Sequence, residues 1–222
     1  MKSVIAIDKK EFSNKLLEWW SENKQDFPWR NTRDPYLILL AELLLRKTSS
    51  RQVKKMYCEF IEKYPTPKQL FFAHEDDLRR LLTGLGMENI RTKLMKKVAD
   101  AILKDFHGKI PETEEELTML PGVGRYSANA VLCTAYGADV PMLDTNAIRV
   151  IQRVFSFSTS RARAKDDSEL WSFMKTLIPR DQGRNFNLGL IDFAHGICTP
   201  RNPHCCECPL KAICNYGLSH VC

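Results

Sequence analysis

The chain has 222 residues, 44% of them hydrophobic, with a formal net charge of +6 and a pI near 8.9. That is long enough for one domain or for two small ones sharing a core, and too evenly mixed for a disordered chain. The moderate basic excess suits a polyanionic partner without requiring one. The first ten residues lack the apolar run of a signal peptide. The longest apolar stretch, 36–45, contains Glu42 and is about half of the roughly 20 residues of a membrane span. An intracellular, cytoplasmic protein with no membrane partner is expected, in which eight cysteines argue for metal rather than disulfides.

Phe12, Leu16, Trp19 and Trp20 fall at helical spacing and predict an amphipathic helix over 11–24 with a buried aromatic face. Asp34 reads as an N-cap and Pro35 as the first residue of a nearly all-apolar helix, YLILLAELLLRKTS. Such a helix is buried almost all round, so Glu42 becomes a carboxylate in apolar surroundings, where loss of water favours the neutral, proton-donating form. An ion pair with Arg46, four residues on, is the structural alternative, and spacing admits both. Arg46, Lys47, Arg51, Lys54 and Lys55 form one basic cluster and Arg91, Lys93, Lys96 and Lys97 a second. Solvated helix faces are the default reading of each.

Val53, Met56, Tyr57, Phe60 and Ile61 give the next helix its buried stripe, ended by Pro65 and Pro67. A short helix over 76–82 runs into Gly84, Leu85 and Gly86, a weak hairpin, after which Ile90, Leu94, Val98 and Ile102 mark another amphipathic helix. The stretch LPGVGRYSANAVLCTAYGADVPMLD, 120–144, organises the rest. Leu120, Pro121, Gly122, Val123 and Gly124 make a tight turn, and the amides opening the helix beyond it suit an anion such as phosphate. A plain helix–helix connection is the alternative. Asp144 precedes a helix over 146–155, where its ordinary role is the N-cap. Helices over 166–177 and 185–197 follow, and no strand pattern occurs, so the fold class is all-α with about ten helices. Cys198, Cys205, Cys208 and Cys214 are spaced C-x6-C-x2-C-x5-C, a four-thiolate set for which chemistry alone leaves zinc and iron–sulfur open. Cys206 is a spare, while Cys58, Cys133 and Cys222 read as ordinary thiols, the first two buried.

On LPGVGRYSANAVL followed by MLDTNAIRV, and on the cysteine spacing, nearly the whole chain resembles the endonuclease III superfamily of DNA glycosylases. The resemblance implies a helix-hairpin-helix glycosylase fold. A six-helix barrel domain spans 28–139, and 1–27 with 140–222 form a domain holding a [4Fe–4S] cluster on the four cysteines, with DNA and the active site in the cleft between. The cluster is structural and orients a basic loop with Arg201, His204 and Lys211 toward phosphates. Main-chain amides at Leu120, Gly122, Val123 and Gly124 grip the DNA backbone, while Asp144 serves cleavage of base from sugar, with Asn146 orienting it or a water. Glu42 matches a glutamate of MutY-type and Mig-type enzymes, and DPYLILLAELLLRKTS is most similar to the Mig version. Arg46, Lys47 and Thr48 lie where relatives fill the vacated stack and touch the opposite base.

Tyr126 stands where bifunctional relatives carry the lysine that attacks the sugar. A tyrosine cannot form a Schiff base and Arg125 stays protonated, so no strand cleavage is expected. Breaking the glycosidic bond builds positive charge on the sugar, which a carboxylate stabilises, and a mispaired base costs least to flip. The expectation is a monomeric, monofunctional base excision repair glycosylase acting on double-stranded DNA, removing thymine or uracil mispaired with guanine. The runner-up is a MutY-like adenine glycosylase acting on A·G or A·8-oxoguanine. Met87 and Glu88 where MutY relatives have aromatics, RKTSS in place of a glutamine-rich segment, and the end of the chain eight residues past Cys214 all disfavour it. A non-catalytic DNA-binding protein is the alternative of another class, against which the trio Glu42, Tyr126 and Asp144 argues.

Overall fold

The computed structural model describes residues 6–159 and 161–219, and among these there are helices and turns but no strand, the all-α class expected. Cys222 lies outside the described residues. The chain divides into two compact units, one of Met1–Gln25 with Gly137–Cys222 and one of Asp26–Tyr136. No helix among the described residues is long and apolar enough to cross a membrane.

The unit Asp26–Tyr136 is built round α2 (Pro35–Leu45), whose Ile38, Leu39, Leu40, Leu43 and Leu44 are buried. The Asp34 side chain caps it by accepting from the Tyr36 and Leu37 amides. The helix stops at Leu45, short of the apolar and basic run. Ser49 starts α3 (Ser50–Lys63) with a capping box to Gln52, and Lys47 turns left-handed (φ 53°) between the two. Residues 46–48 are therefore a loop. Val53, Tyr57 and Phe60 face inward as expected, but Cys58 lies on the opposite face of α3 and is exposed, whereas Cys133 is buried.

Two helices of six residues each, α4 (Pro67–Phe72) and α7 (Glu114–Met119), escaped the periodicity and are announced only by their N-caps, Thr66 and Thr113. Between them come α5 (Glu75–Leu82) and α6 (Glu88–Asp105), and α8 (Arg125–Thr134) follows α7. Helix α6 packs on α4 and α5, and α8 packs on α2 and α7. The buried stripe of α6 is Arg91, Met95, Val98 and Ile102, while Ile90 is 63% exposed, which corrects the stripe expected from Ile90 and Leu94. Arg91 shares that stripe, its guanidinium turned into the unit. Arg91 is thus no solvated cation.

In the other unit α1 (Lys9–Asn23) packs on α11 (Gly183–Gly196), which also meets α9 (Thr145–Phe155). Phe12, Leu16, Ile151, Val154, Phe186 and Leu190 share one core, and Trp19, expected buried, only packs against its edge. Helix α10 (Ser168–Lys175) begins two residues later than expected because Asp167 caps it, and α12 (Asn215–Ser219) closes the described chain. Buried Asn187 pins the approach to Asp144: its Oδ1 accepts from the Met142 amide at 2.8 Å and its Nδ2 donates to the Val140 carbonyl at 2.9 Å.

Candidate active site and cysteine pocket

The hairpin between α7 and α8 is fixed by a hydrogen bond from the Val123 amide to the Leu120 carbonyl at 3.0 Å. Pro121 and Gly122 occupy its centre, and Gly122 has φ 77°, the left-handed value that a type II turn requires of its third residue. A β-carbon at Gly122 would lie 2.6 Å from Arg46 Nη1 and 2.9 Å from Leu94 Cδ1, so both side-chain ends would have to move to admit one. Gly124 differs. Its backbone is extended (φ −106°), and a β-carbon there would meet nothing within 4 Å. Leu120 and Val123 are buried and anchor the loop, and because the Leu120 amide also donates inward, to the Leu117 carbonyl at 3.2 Å, the expected grip on DNA by the amides of these two residues is corrected to an anchoring role. The first amides of α8 have no partner within their own helix.

Arg46 and Lys47 are exposed and Thr48 is half-buried. Thr48 Oγ1 donates to the Arg46 carbonyl at 3.2 Å and accepts from Arg91 Nη2. Arg91 also donates to the carbonyls of Gly86, Leu43, Leu44 and Arg46. Burial, then the neighbouring Arg46 charge, pulls its pKa down from the ordinary guanidinium value. Glu42 is half-buried on α2, and Tyr126 is half-buried in the first turn of α8.

In the other unit Asp144 caps α9. Its Oδ1 accepts from the Asn146 and Ala147 amides at 2.9 and 2.7 Å, and its Oδ2 accepts from Asn146 Nδ2 at 2.7 Å. Asn146 Oδ1 in turn accepts from Arg149 Nη1 at 3.0 Å, and Arg149 Nε donates to the Cys198 carbonyl at 2.9 Å. The sequence offers Asn146 as an orienting group but gives no sign of Arg149, because the two carbonyls that anchor its guanidinium lie nearly fifty residues away.

Cys198, Cys205, Cys208 and Cys214 all line one pocket with about 340 Å³ of free space, open solvent included. Arg153 Nη1 donates to Cys198 Sγ at 3.4 Å and the Gly217 amide to Cys214 Sγ at 3.3 Å. The Arg153 guanidinium rests on the Tyr216 ring, 4.7 Å from its centroid. Burial, reinforced by the three neighbouring thiols, pushes the Cys208 thiol up to about 12, and burial also raises Cys214. Cys206 stands outside the pocket lining. Among the described residues, however, no group of three or more His, Cys, Asp or Glu is arranged so that it could hold a metal ion. The thiols surround one space without forming a closed single-ion site.

A family model described as HhH-GPD superfamily base excision DNA repair protein matches residues 40–175. The thymine-DNA glycosylase of Aeropyrum pernix is 44% identical over 219 residues, spanning 96% of this chain and 98% of that protein. The thymine/uracil-DNA glycosylase of Pyrobaculum aerophilum is 42% identical over 92% of this chain and 90% of its own length. The solved structure of a thermostable thymine-DNA glycosylase superposes with a TM-score of 0.91 at 37% identity, covering 96% of this chain and 97% of that one. Adenine DNA glycosylases are more distant: the human enzyme is 29% identical over 91% of this chain and 39% of its own length.

Proposed function

The chain belongs to the HhH-GPD superfamily of base excision DNA repair proteins, and from that premise we propose that it is a monofunctional DNA glycosylase. It hydrolyses the N-glycosidic bond of thymine or uracil mispaired with guanine and acts as a monomer on double-stranded DNA. Asp144 carries the reading: one oxygen is spent on capping α9, and the other is held by Asn146. The resemblance of the chain to thymine and thymine/uracil glycosylases along most of its length supports the choice of base.

In this mechanism the hairpin amides at Gly122 and Gly124 hold a phosphate, those of Leu120 and Val123 being donated to the Leu117 and Leu120 carbonyls, while Arg46, Lys47 and Thr48 occupy the gap left by the flipped nucleotide. Asp144 stabilises the positive charge developing at the sugar and assists the attacking water, with Asn146 fixing its orientation. Glu42 supplies a proton to the leaving base, and Tyr126, having no amine, packs against that base without attacking the sugar.

Cys198, Cys205, Cys208 and Cys214 hold a [4Fe–4S] cluster. Their number, shared pocket and exclusion of Cys206 fit such a group. When bound, it cross-links 198–214 as a four-thiolate centre. Iron content and visible absorption test this directly: both are expected in the wild type and in Cys206→Ser, and lost in Cys205→Ser. A colourless, iron-free wild type ends the cofactor assignment.

The function is tested with duplexes carrying G·T, G·U, A·G and A·8-oxoguanine, incubated with enzyme and then cleaved by alkali. Excision from G·T and G·U is expected, with no cleavage before alkali and no borohydride trapping. Preferential loss of adenine opposite 8-oxoguanine would replace the proposal with the adenine reading, and tight binding without turnover would make the chain a DNA-binding protein.

A further inference from the structure

Arg91 belongs by sequence to a row of cations, yet only 4% of it is exposed, and its hydrogen bonds reach two loops at once. Nη1 donates to the Leu43 and Leu44 carbonyls at 3.3 and 3.1 Å, groups that the last turn of α2 leaves without helical partners. Nη2 donates to the Arg46 carbonyl at 2.7 Å and to the Thr48 hydroxyl. Nε donates to the Gly86 carbonyl at 2.9 Å, in a turn where Gly86 (φ 73°) and Met87 (φ 53°) are both left-handed. One turn further along α6, Leu94 lies against Gly122, which also approaches Arg46 Nη1. Residues 46–48, 84–87 and 120–124 therefore meet around one end of α6.

Helix capping alone does not call for this group. Water or a single donor satisfies the end of α2, whereas a rigid fork with five N–H groups serves acceptors on separate loops at fixed mutual angles. These hydrogen bonds all end on carbonyl or hydroxyl oxygens, so no carboxylate neutralises the buried charge there, and the Arg46 charge stands beside it. Two like charges held together raise the energy of the free protein, and an arriving anion lowers it.

We propose that Arg91 is a positioning residue for DNA engagement: it locks loop 46–48 and turn 84–87 in register with the hairpin at 120–124, so that Arg46 and Thr48 meet the duplex already ordered. Arg91 itself touches no DNA. A loop ordered beforehand loses less conformational freedom on binding, so the gain appears in affinity. The inference rests on the proposed contact of 46–48 with DNA.

The test is a double-mutant cycle with Arg91→Met, Arg46→Ala and the pair, measuring Kd for a G·T duplex, the single-turnover rate at saturating enzyme, and the melting temperature. Arg91→Met is expected to weaken binding about tenfold while the saturated rate stays within about threefold, and the pair is expected to be scarcely weaker than the worse single variant, the non-additivity of residues sharing a network. Should Arg91→Met fail to fold, Arg91→Lys replaces it in the cycle, retaining the charge but not the fork. Effects on Kd that multiply in the cycle would overturn the proposal. An Arg46→Ala variant with unchanged Kd would instead overturn the reading of 46–48 as a DNA contact.

Discussion

Asp34 and Asp144 begin as the same device. Each caps a helix of 11 residues through Oδ1, accepting from two backbone amides. They part at the next bond. Asp34 caps α2, and the bonds to its Oδ1 come only from the first turn of that helix. At Asp144 the second oxygen is held by Asn146, Asn146 is held by Arg149, and Arg149 is anchored on the Cys198 and Ala194 carbonyls. A cap needs only the first of these layers. The added ones restrict how the carboxylate can rotate, which contributes nothing to capping and is what a group working on a substrate requires.

The sharpest way to break this contrast is the pair Asp34→Asn and Asp144→Asn, since asparagine caps about as well as aspartate. Excision in single turnover is expected to fall at least about a hundredfold for Asp144→Asn, the scale of losing one electrostatic stabiliser of a transition state, and to stay within about twofold for Asp34→Asn. Equal effects would reduce Asp144 to a cap. Next in size, Asn146→Ala and Arg149→Met should each slow single-turnover excision about tenfold, as outer supports of a site commonly do. Unchanged rates in both would make the outer layers ornamental to the chemistry. The smallest effect concerns stability: Asp34→Ala and Asp144→Ala each remove a cap worth about 1 kcal/mol, a melting shift of about 2–4 °C for a chain of this size. A much larger shift at Asp144 would show that its network serves folding.

What could be read from the chain, and what could not, follows from how far each interaction reaches. Asp34 with Pro35, the turn at 120–124 and the cap at Asp144 are all settled by partners within three residues, and each is visible in sequence. Helices α4 and α7 are too short for an apolar period to repeat. Cys58 shows that a sulfur on the polar face of an amphipathic helix follows the helix, not the hydrophobicity of its residue type. The roles of Arg91 and Arg149 are hidden for a different reason: most of their acceptors are backbone carbonyls, which every residue possesses, so no residue type marks them. Only the fold brings those carbonyls round a guanidinium.

Gly124 has a consequence for anyone altering this molecule. Nothing inside the fold forbids a side chain there, and a serine would serve as a modest N-cap for α8, firming the helix by a few tenths of a kcal/mol. A library sorted by thermal resistance would thus enrich Gly124→Ser, while the same hydroxymethyl group would stand where the proposed phosphate contact needs a bare main chain. Hardening the protein and keeping it useful pull in opposite directions at that one residue.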